Sequence, residues 1–159
     1  MGQEVSFYQR FFGVGPIGIL ISLAVLGLLW LLDRRLGGVE VLIQPGPVLI
    51  SGLIMMGICV CWVLWCFNAI RRWWLENRLC TTGPYRFVRH PIYAGWIWLG
   101  STGVALVLNS WIMLFGPFIL YFFYSILVRR EEKMMAAVFG DEYKRYALRT
   151  GRLFPRIMK

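Results

Sequence analysis

Apolar residues form four long runs along the chain, separated by short polar stretches. The runs cover about residues 14–32, 47–67, 92–108 and 111–128. Each run approaches the roughly 20 residues that an α-helix needs to cross about 30 Å of hydrocarbon. In lipid every backbone polar group must be satisfied within the spanning structure, and helices meet that requirement. The pattern therefore predicts an all-α polytopic membrane protein with about four transmembrane helices.

A different pattern follows the fourth run, from about residue 129 to residue 148. Charged side chains occupy one face, and apolar side chains recur three and four positions apart on the other. The apolar positions are Met135, Val138, Phe139, Tyr143, Tyr146 and Ala147. This predicts a C-terminal amphipathic helix, which either lies on the bilayer or packs as a lid on the polar loop between the second and third runs. Residues 1–159 are expected to form a single domain.

Composition narrows the class of protein. Hydrophobic residues make up 58% of the chain and charged residues 16%, whereas a soluble domain carries roughly 25% charged residues. This excludes an ordinary soluble fold, and with it a nucleic-acid-binding protein with a soluble basic face. The four cysteines show no zinc spacing, and a single histidine argues against a multi-histidine metal centre. We expect reduced, buried thiols and no bound metal.

The distribution of charge predicts an orientation in the membrane. Lys and Arg outnumber Asp and Glu by 17 to 8. All but two of these basic residues lie in the N-terminal segment, in the loop between the second and third runs, or in the tail; the exceptions are Arg34 and Arg35. Because basic residues concentrate in cytoplasmic loops, both termini and the polar loop are expected in the cytoplasm. Membrane lipids, particularly anionic ones, are the expected partners of these basic segments.

The polar loop 77–93 is the first segment with candidate chemistry. Pro91 suits the first turn of the third apolar helix. Such a helix start leaves backbone N–H groups unpaired, and these attract a carboxylate or a phosphate. Arg89 and His90 come directly before it, so the loop predicts a cradle for a negatively charged group.

The second segment is an acidic pair, Glu131-Glu132, which follows the fourth apolar run. Two interpretations are open for it. The pair could form ion pairs with its neighbours Arg129, Arg130 and Lys133, or it could hold a cationic ligand.

Three motifs occupy these segments. They read G-P-Y-R-F-V-R-H-P-I-Y-A-G at 83–95, R-R-E-E-K-M-M-A-A-V-F-G-D-E-Y-K-R-Y at 129–146, and R-L-F-P at 152–155. In this combination, over residues 79–156, the chain resembles the integral-membrane methyltransferases of the isoprenylcysteine carboxyl methyltransferase and phospholipid N-methyltransferase superfamily. The resemblance implies a membrane enzyme that uses S-adenosylmethionine as methyl donor.

The resemblance also implies which residues hold the donor. Glu131, together with Glu132, is expected at the donor's ammonium, and a carboxylate suits that group through a charge-assisted hydrogen bond. Aromatic faces suit its sulfonium through cation–π attraction. The remaining positions implied for the cofactor pocket are Leu79, Cys80, Tyr85, His90, Pro91, Ile92 and Tyr93.

The expected acceptor is a lipidic small molecule, methylated at a carboxylate oxygen or an amine nitrogen. Methyl transfer needs alignment of donor and acceptor more than a strong acid or base. An amine acceptor must lose a proton, which His90, Glu132 or water could take. Arg130 or Arg129 is the candidate that binds an acidic group of the acceptor. The candidate catalytic residues are therefore His90, Arg130 and Glu132.

Two alternatives stay open at this point. NADPH-dependent membrane sterol reductases have a similar loop and tail, although they have many more spans and usually carry Trp where this chain has Tyr143. A non-enzymatic small membrane protein would explain the apolar runs but neither the acidic pair nor the long loop. The sequence carries no signal for an oligomeric state.

Overall fold

The computed structural model describes residues 15–38, 40–41, 45–76 and 78–156. The predicted first span begins at residue 14 and the predicted loop at residue 77, and both residues lie outside the described ranges, as does Arg10 of the N-terminal segment. The described part of the chain contains no β-strand. Its long helices are α1 (Gly15–Arg35), α2 (Pro45–Leu75), α3 (Pro91–Val107) and α4 (Gly116–Arg149). The all-α polytopic architecture predicted from the apolar runs is confirmed.

Three of the four helices are long and apolar enough to cross a membrane. They are α1, the segment Pro45–Arg71 of α2, and Ile112–Arg149, in which a 3₁₀ turn leads into α4. α3 is apolar but shorter: its 17 residues rise about 26 Å at 1.5 Å per residue. It also contains a π-helical turn at Trp96–Gly100.

The predicted tail helix is not a separate element. Residues 129–139 continue α4 without interruption from the apolar part of the helix, and the rest of the predicted tail follows after a kink. The residues around the expected break, 128–134, include neither Gly nor Pro and are mostly good helix formers, so nothing ends the helix there. The chain kinks instead at Gly140, which has φ 52° and ψ −126°. Such a backbone conformation favours glycine, because a Cβ would be strained there.

Close backbone approach brings α2 and α3 together. A Cβ at Gly52 would lie 2.9 Å from the carbonyl oxygen of Gly103 and 2.7 Å from the amide nitrogen of Val107. Small residues at helix crossings are typical of membrane proteins, because in lipid the helices associate through van der Waals packing rather than through the hydrophobic effect. α3 also contacts α4, and α1 contacts α4, so α3 and α4 form the middle of the bundle.

Each end of the bundle is closed by segments that are far apart in sequence. At one end the amide of Val41 donates to the carbonyl oxygen of Asn109, at 3.3 Å. At the other end the amide of Arg89 donates to the carbonyl oxygen of Gly151, at 2.8 Å. The polar loop, the charged part of α4 and the C-terminal segment therefore meet at this second end.

Candidate functional site

The loop is anchored to α2 by buried side chains. Leu79, Cys80 and Tyr85 are all buried, and the last two pack with Cys66 of α2. Burial raises the pKa of the Cys80 thiol and of the Tyr85 phenol, so both side chains remain neutral. All four cysteines are free, but Cys61 is exposed, so the expectation of buried thiols is wrong for that residue. Three predicted cofactor residues thus form part of the packing that holds the loop in place.

The start of α3 is tied to the same helix. The indole N–H of Trp62 donates to the carbonyl oxygen of Pro91, at 2.8 Å. Ile92 packs against the cluster of Cys80 and Tyr85. Because Pro91 fixes φ at the first helical position, this anchoring sets the direction in which His90 and Tyr93 leave the loop.

Glu131 meets the loop through two aromatic side chains. The Tyr93 hydroxyl donates to Oε1 of Glu131 at 2.9 Å, and Nδ1 of His90 lies 3.2 Å from its Oε2. The two rings are stacked, with centroids 5.9 Å apart and planes at 13°. The structure therefore brings together the two segments that carried the candidate chemistry.

Glu132 is held by two guanidinium groups. Nε of Arg89 donates to Oε1 at 2.8 Å, and Nη2 of Arg152 lies 2.6 Å from Oε2. Nε2 of His90 lies 3.7 Å from Oε1. The side chains of Arg89 and Glu132 are only 12% and 13% exposed, so solvent screens this pair weakly. These partners come from the loop and the C-terminal segment rather than from the neighbours of Glu132 on α4.

Arg89 also fastens the tail to the loop. Its Nη1 donates to the carbonyl oxygens of Ala147 and Thr150, at 2.7 and 2.5 Å. The last carbonyls of a helix have no partner within the helix, so Arg89 satisfies the end of α4. The Tyr146 hydroxyl donates to the carbonyl oxygen of Tyr85 at 2.6 Å. Of the two placements open for the tail, the structure has the one on the loop.

His90 carries the titratable charge of this cluster. Burial lowers the pKa of the imidazole, but the hydrogen bonds and charges of Glu131 and Glu132 outweigh burial, and the pKa lies above its ordinary value. The two carboxylates therefore favour the protonated ring more than water does. When the ring is protonated, the cluster holds three cationic groups, including Arg89 and Arg152, and two anionic ones.

One of the three predicted catalytic residues lies apart from this cluster, and one member of the cluster was missed. Arg130 is exposed, and in the described part of the chain it is not among the residues that contact Glu132. Arg152 was not predicted as a site residue. Its only signal was its place in the R-L-F-P motif.

A cavity of about 450 Å³ borders the loop, between the end of α2 and the turn at residues 82–83. The indole N–H of Trp73 donates to Oγ1 of Thr82 at 3.1 Å, and the guanidinium of Arg78 lies 4.8 Å from the centroid of the Trp73 ring. The volume is within the range of small-molecule sites. The lining residues are Asn68, Ala69, Trp73, Glu76, Arg78, Thr82 and Gly83.

A bundle of apolar helices with a shielded carboxylate pair at one end is the architecture of an integral membrane protein. The model of the isoprenylcysteine carboxyl methyltransferase family matches residues 46–137, and the chain belongs to this family. The resemblance noted from the motifs is confirmed.

Curated relatives extend this finding. The chain is 34% identical over 119 residues to the cobalt-zinc-cadmium resistance protein CzcN of Cupriavidus metallidurans, covering 70% of this chain and 51% of that protein. It is 35% identical over 76 residues to the protein-S-isoprenylcysteine O-methyltransferase of Saccharomyces cerevisiae, covering 48% of this chain and 32% of that one.

A third relative acts on a different kind of acceptor, by its name. It is the methanethiol S-methyltransferase 1 of Bradyrhizobium diazoefficiens, 39% identical over 72 residues, which covers 45% of this chain and 24% of the relative. The chain spans about half of the first relative's length and less of the other two. No solved structure matches the chain.

Proposed function

We propose that this protein is an integral-membrane methyltransferase that uses S-adenosylmethionine to methylate a lipidic or membrane-embedded acceptor at a carboxylate oxygen or an amine nitrogen. The site and both termini are proposed to face the cytoplasm. The observation that carries the proposal is the contact of Glu131 with Tyr93 and His90, which joins the acidic pair to the R-H-P-x-Y loop. Family membership and two relatives named as methyltransferases support methyl transfer.

The side chains present fit the chemistry of the donor. When bound, the donor supplies a methyl group on a sulfonium, ready for direct displacement. Glu131 would accept hydrogen bonds from its ammonium in place of its contact with His90, while Tyr93 holds the other carboxylate oxygen. Arg89 is engaged by Glu132 and by the end of α4. Arg152, whose side chain is 37% exposed, therefore suits the donor's carboxylate better than Arg89 does.

The cavity beside the loop supports a place for the adenosine part of the donor. The Trp73 ring and the guanidinium above it are flat surfaces that suit a purine, and Thr82 adds a hydroxyl. Cys80 joins this cavity to the anchored loop, since its thiol approaches the carbonyl oxygen of Ala69 at 3.8 Å and Ala69 lines the cavity.

An exposed aromatic surface supports an apolar acceptor. Trp98 of α3 has ring centroids of three other aromatic side chains within 5.9 Å of its own. The three are Phe118, Tyr121 and Phe154. All three are exposed, and Phe154 follows Arg152 by two residues. An acceptor with an apolar tail would approach here. For an amine acceptor, the predicted proton acceptors are His90 in its neutral form, Glu132 and water, and the role of Arg130 toward an acidic group stays a prediction.

Ligand binding separates this proposal from the alternatives. The detergent-purified protein is titrated calorimetrically with S-adenosylhomocysteine and, separately, with NADPH. We expect binding of S-adenosylhomocysteine alone. Binding of NADPH alone would indicate a reductase, and binding of neither ligand would indicate a non-enzymatic protein.

The role of Glu131 is tested by replacing it with Gln. Loss of a hydrogen bond to a charged group costs about 1.5–3 kcal/mol, so Glu131→Gln is expected to weaken S-adenosylhomocysteine binding by about 10- to 150-fold. Glu142→Gln is the matched control, because Glu142 is an exposed carboxylate on the same helix. Affinities of the two variants within twofold of each other would contradict the assignment.

The acceptor is tested by transfer of label. The protein in lipid nanodiscs is incubated with methyl-labelled donor and a total lipid extract, and the extract is separated by chromatography. We expect label in a lipid fraction with the wild type and none with Glu131→Gln. Binding of S-adenosylhomocysteine without any labelled lipid would contradict a lipidic acceptor while leaving the donor site intact.

A further inference from the structure

α1 lies outside residues 46–137, to which the family model applies, yet it touches the residues that form the carboxylate site. At its first described residue, a Cβ on Gly15 would lie 3.9 Å from the Tyr93 hydroxyl. One turn further along, a Cβ on Gly18 would lie 2.7 Å from the hydroxyl and 2.9 Å from Cζ of Tyr124. Two positions on one face of α1 thus border two tyrosines of α3 and α4.

Ser22 adds a polar contact on the same face. Its side chain is buried, with 3% of the residue exposed, and α1 carries no other polar side chain before its last turn. The indole N–H of Trp96 donates to its Oγ at 2.9 Å, and the Tyr124 hydroxyl lies 3.1 Å from the same atom. One hydroxyl can accept and donate at once, so Ser22 satisfies both partners. A buried polar group in an apolar bundle is costly unless it is paired in this way.

Tyr124 lies between Ser22 and Tyr93, the residue that contacts Glu131. It is buried, and its ring centroid lies 5.2 Å from that of Tyr93. The Tyr93 hydroxyl in turn donates to Oε1 of Glu131 at 2.9 Å. A displacement of the Tyr124 ring would therefore move the phenol that holds Glu131. The close fit of Gly18 leaves the ring no room to shift toward α1.

We propose that Gly18 and Ser22 of α1 are positioning residues of the carboxylate site, which fix Tyr124 and, through its ring, the hydrogen bond from Tyr93 to Glu131. This inference rests on the proposed function in one respect, because its consequence is measured as donor-site affinity. It makes α1 part of the site, whereas the matched family region begins in α2.

Two alanine substitutions on α1 provide a matched pair. Gly18→Ala places a methyl group against Tyr124, whereas Gly27→Ala meets no atom within 4 Å. The calorimetric affinity for S-adenosylhomocysteine is measured for the full chain in detergent, with the thermal midpoint of the ligand-free protein alongside. We expect Gly18→Ala to weaken binding at least fivefold and Gly27→Ala to leave it within twofold of wild type.

A cycle of substitutions distinguishes positioning from general packing. Ser22→Ala is expected to weaken binding by about 2- to 10-fold, the scale of one hydrogen bond. In a Glu131→Gln background the same change should have less than half of that effect on a logarithmic scale, because both substitutions act on one contact. If the role of Ser22 is purely structural, Ser22→Ala would lower the thermal midpoint. The fold-change in affinity of the double variant would then equal the product of the fold-changes of Ser22→Ala and Glu131→Gln.

The outcomes separate this inference from the proposed function. If the wild type binds S-adenosylhomocysteine and Glu131→Gln weakens it, equal affinities of Gly18→Ala and Gly27→Ala overturn the role of α1 alone. Independent multiplication of the Ser22 and Glu131 effects overturns it as well. Absence of wild-type binding overturns the proposed function before α1 is tested.

Discussion

Two regions of the molecule are held together by opposite kinds of contact. At the crossing of α2 and α3, Gly52 and Gly103 bring the backbones together with little more than van der Waals contact. At the carboxylate site, Glu132 joins the loop, α4 and the C-terminal segment through Arg89 and Arg152. The first region depends on the absence of side chains, and the second on particular charged ones.

The two regions are therefore expected to respond differently to amino-acid substitution. A glycine crossing constrains volume, so any added atom separates the helices, although the charge and hydrogen bonding of the neighbours do not matter. An ion-paired cluster constrains direction and charge, so removal of one member leaves its partners buried without compensation. The cluster is therefore expected to tolerate fewer substitutions than the crossing does, as the proposed donor site requires.

The largest effect is expected from Arg89→Ala. Removing one partner of a buried ion pair costs about 3–5 kcal/mol, and the change also frees the carbonyl oxygens of Ala147 and Thr150. The control is Arg78→Ala, which removes an exposed pair with Glu76, 63% and 56% exposed, and should cost less than about 1 kcal/mol. Thermal and denaturant unfolding in detergent measure the loss of stability in each of the two variants. Equal losses of unfolding free energy in the two variants would show that the buried cluster stabilises the fold no more than an exposed ion pair does.

The next effect concerns the crossing itself. Gly52→Ala puts a methyl group within 3.0 Å of backbone atoms of α3, and such overpacking costs about 1–3 kcal/mol. Gly57→Ala, on the same helix, meets no atom within 4 Å and should leave stability unchanged or slightly higher, since alanine favours helix. The free energy of unfolding of the two variants is measured under identical conditions. An unchanged value for Gly52→Ala would contradict the close crossing of α2 and α3.

Sequence patterns predict the crossing region better than the site. Apolar runs report directly on burial in lipid, so four apolar helices could be predicted, although α2 extends to Leu75 and α4 to Arg149, well beyond the ends of the runs. The continuity of α4 could not, because the charged stretch after Val128 has high helix propensity in either arrangement. The kink was equally hidden, since a glycine such as Gly140 in a helical pattern does not disclose its backbone angles.

The site required information that spacing does not contain. Tyr93 and Glu131 are 38 positions apart, and no periodicity relates them; the family resemblance grouped them. Arg152 was missed because one basic residue in a basic tail looks like any other. Ser22 was missed because a single serine in an apolar helix carries no signal until its partners are known.

A smaller effect is expected at the kink of α4. Gly140→Ala meets no atom within 4 Å, so its cost is backbone strain alone, about 1–2 kcal/mol, which is within the range for a sparsely populated backbone region. Because the residues after the kink include Tyr146, which donates to the loop, amides 141–149 should exchange hydrogen faster than in the wild type. Unchanged exchange there, with Gly57→Ala as reference, would mean that the kink does not set the position of the tail.

The smallest effect is expected from a change of pH. Burial lowers the pKa of His90 and the two carboxylates raise it, so only the difference between these two effects lifts the pKa above its ordinary value. The groups that face the ring are Glu131 and Glu132 of α4 and the stacked Tyr93 of α3. A raised pKa in the folded protein means that folding favours the proton. The contribution of His90 to stability is therefore complete below its ordinary pKa of about 6.5 and is lost as pH rises through the folded-state value.

The thermal midpoint should accordingly fall from pH 6 towards higher pH in the wild type. His90 is the only histidine of the chain, so His90→Gln should flatten this slope. A slope that persists in His90→Gln would mean that the imidazole is not the group bound between the carboxylates. A slope of the opposite sign in the wild type would mean that burial prevails and the ring is neutral, so that the site would present Glu131 to its ligand without a competing cation.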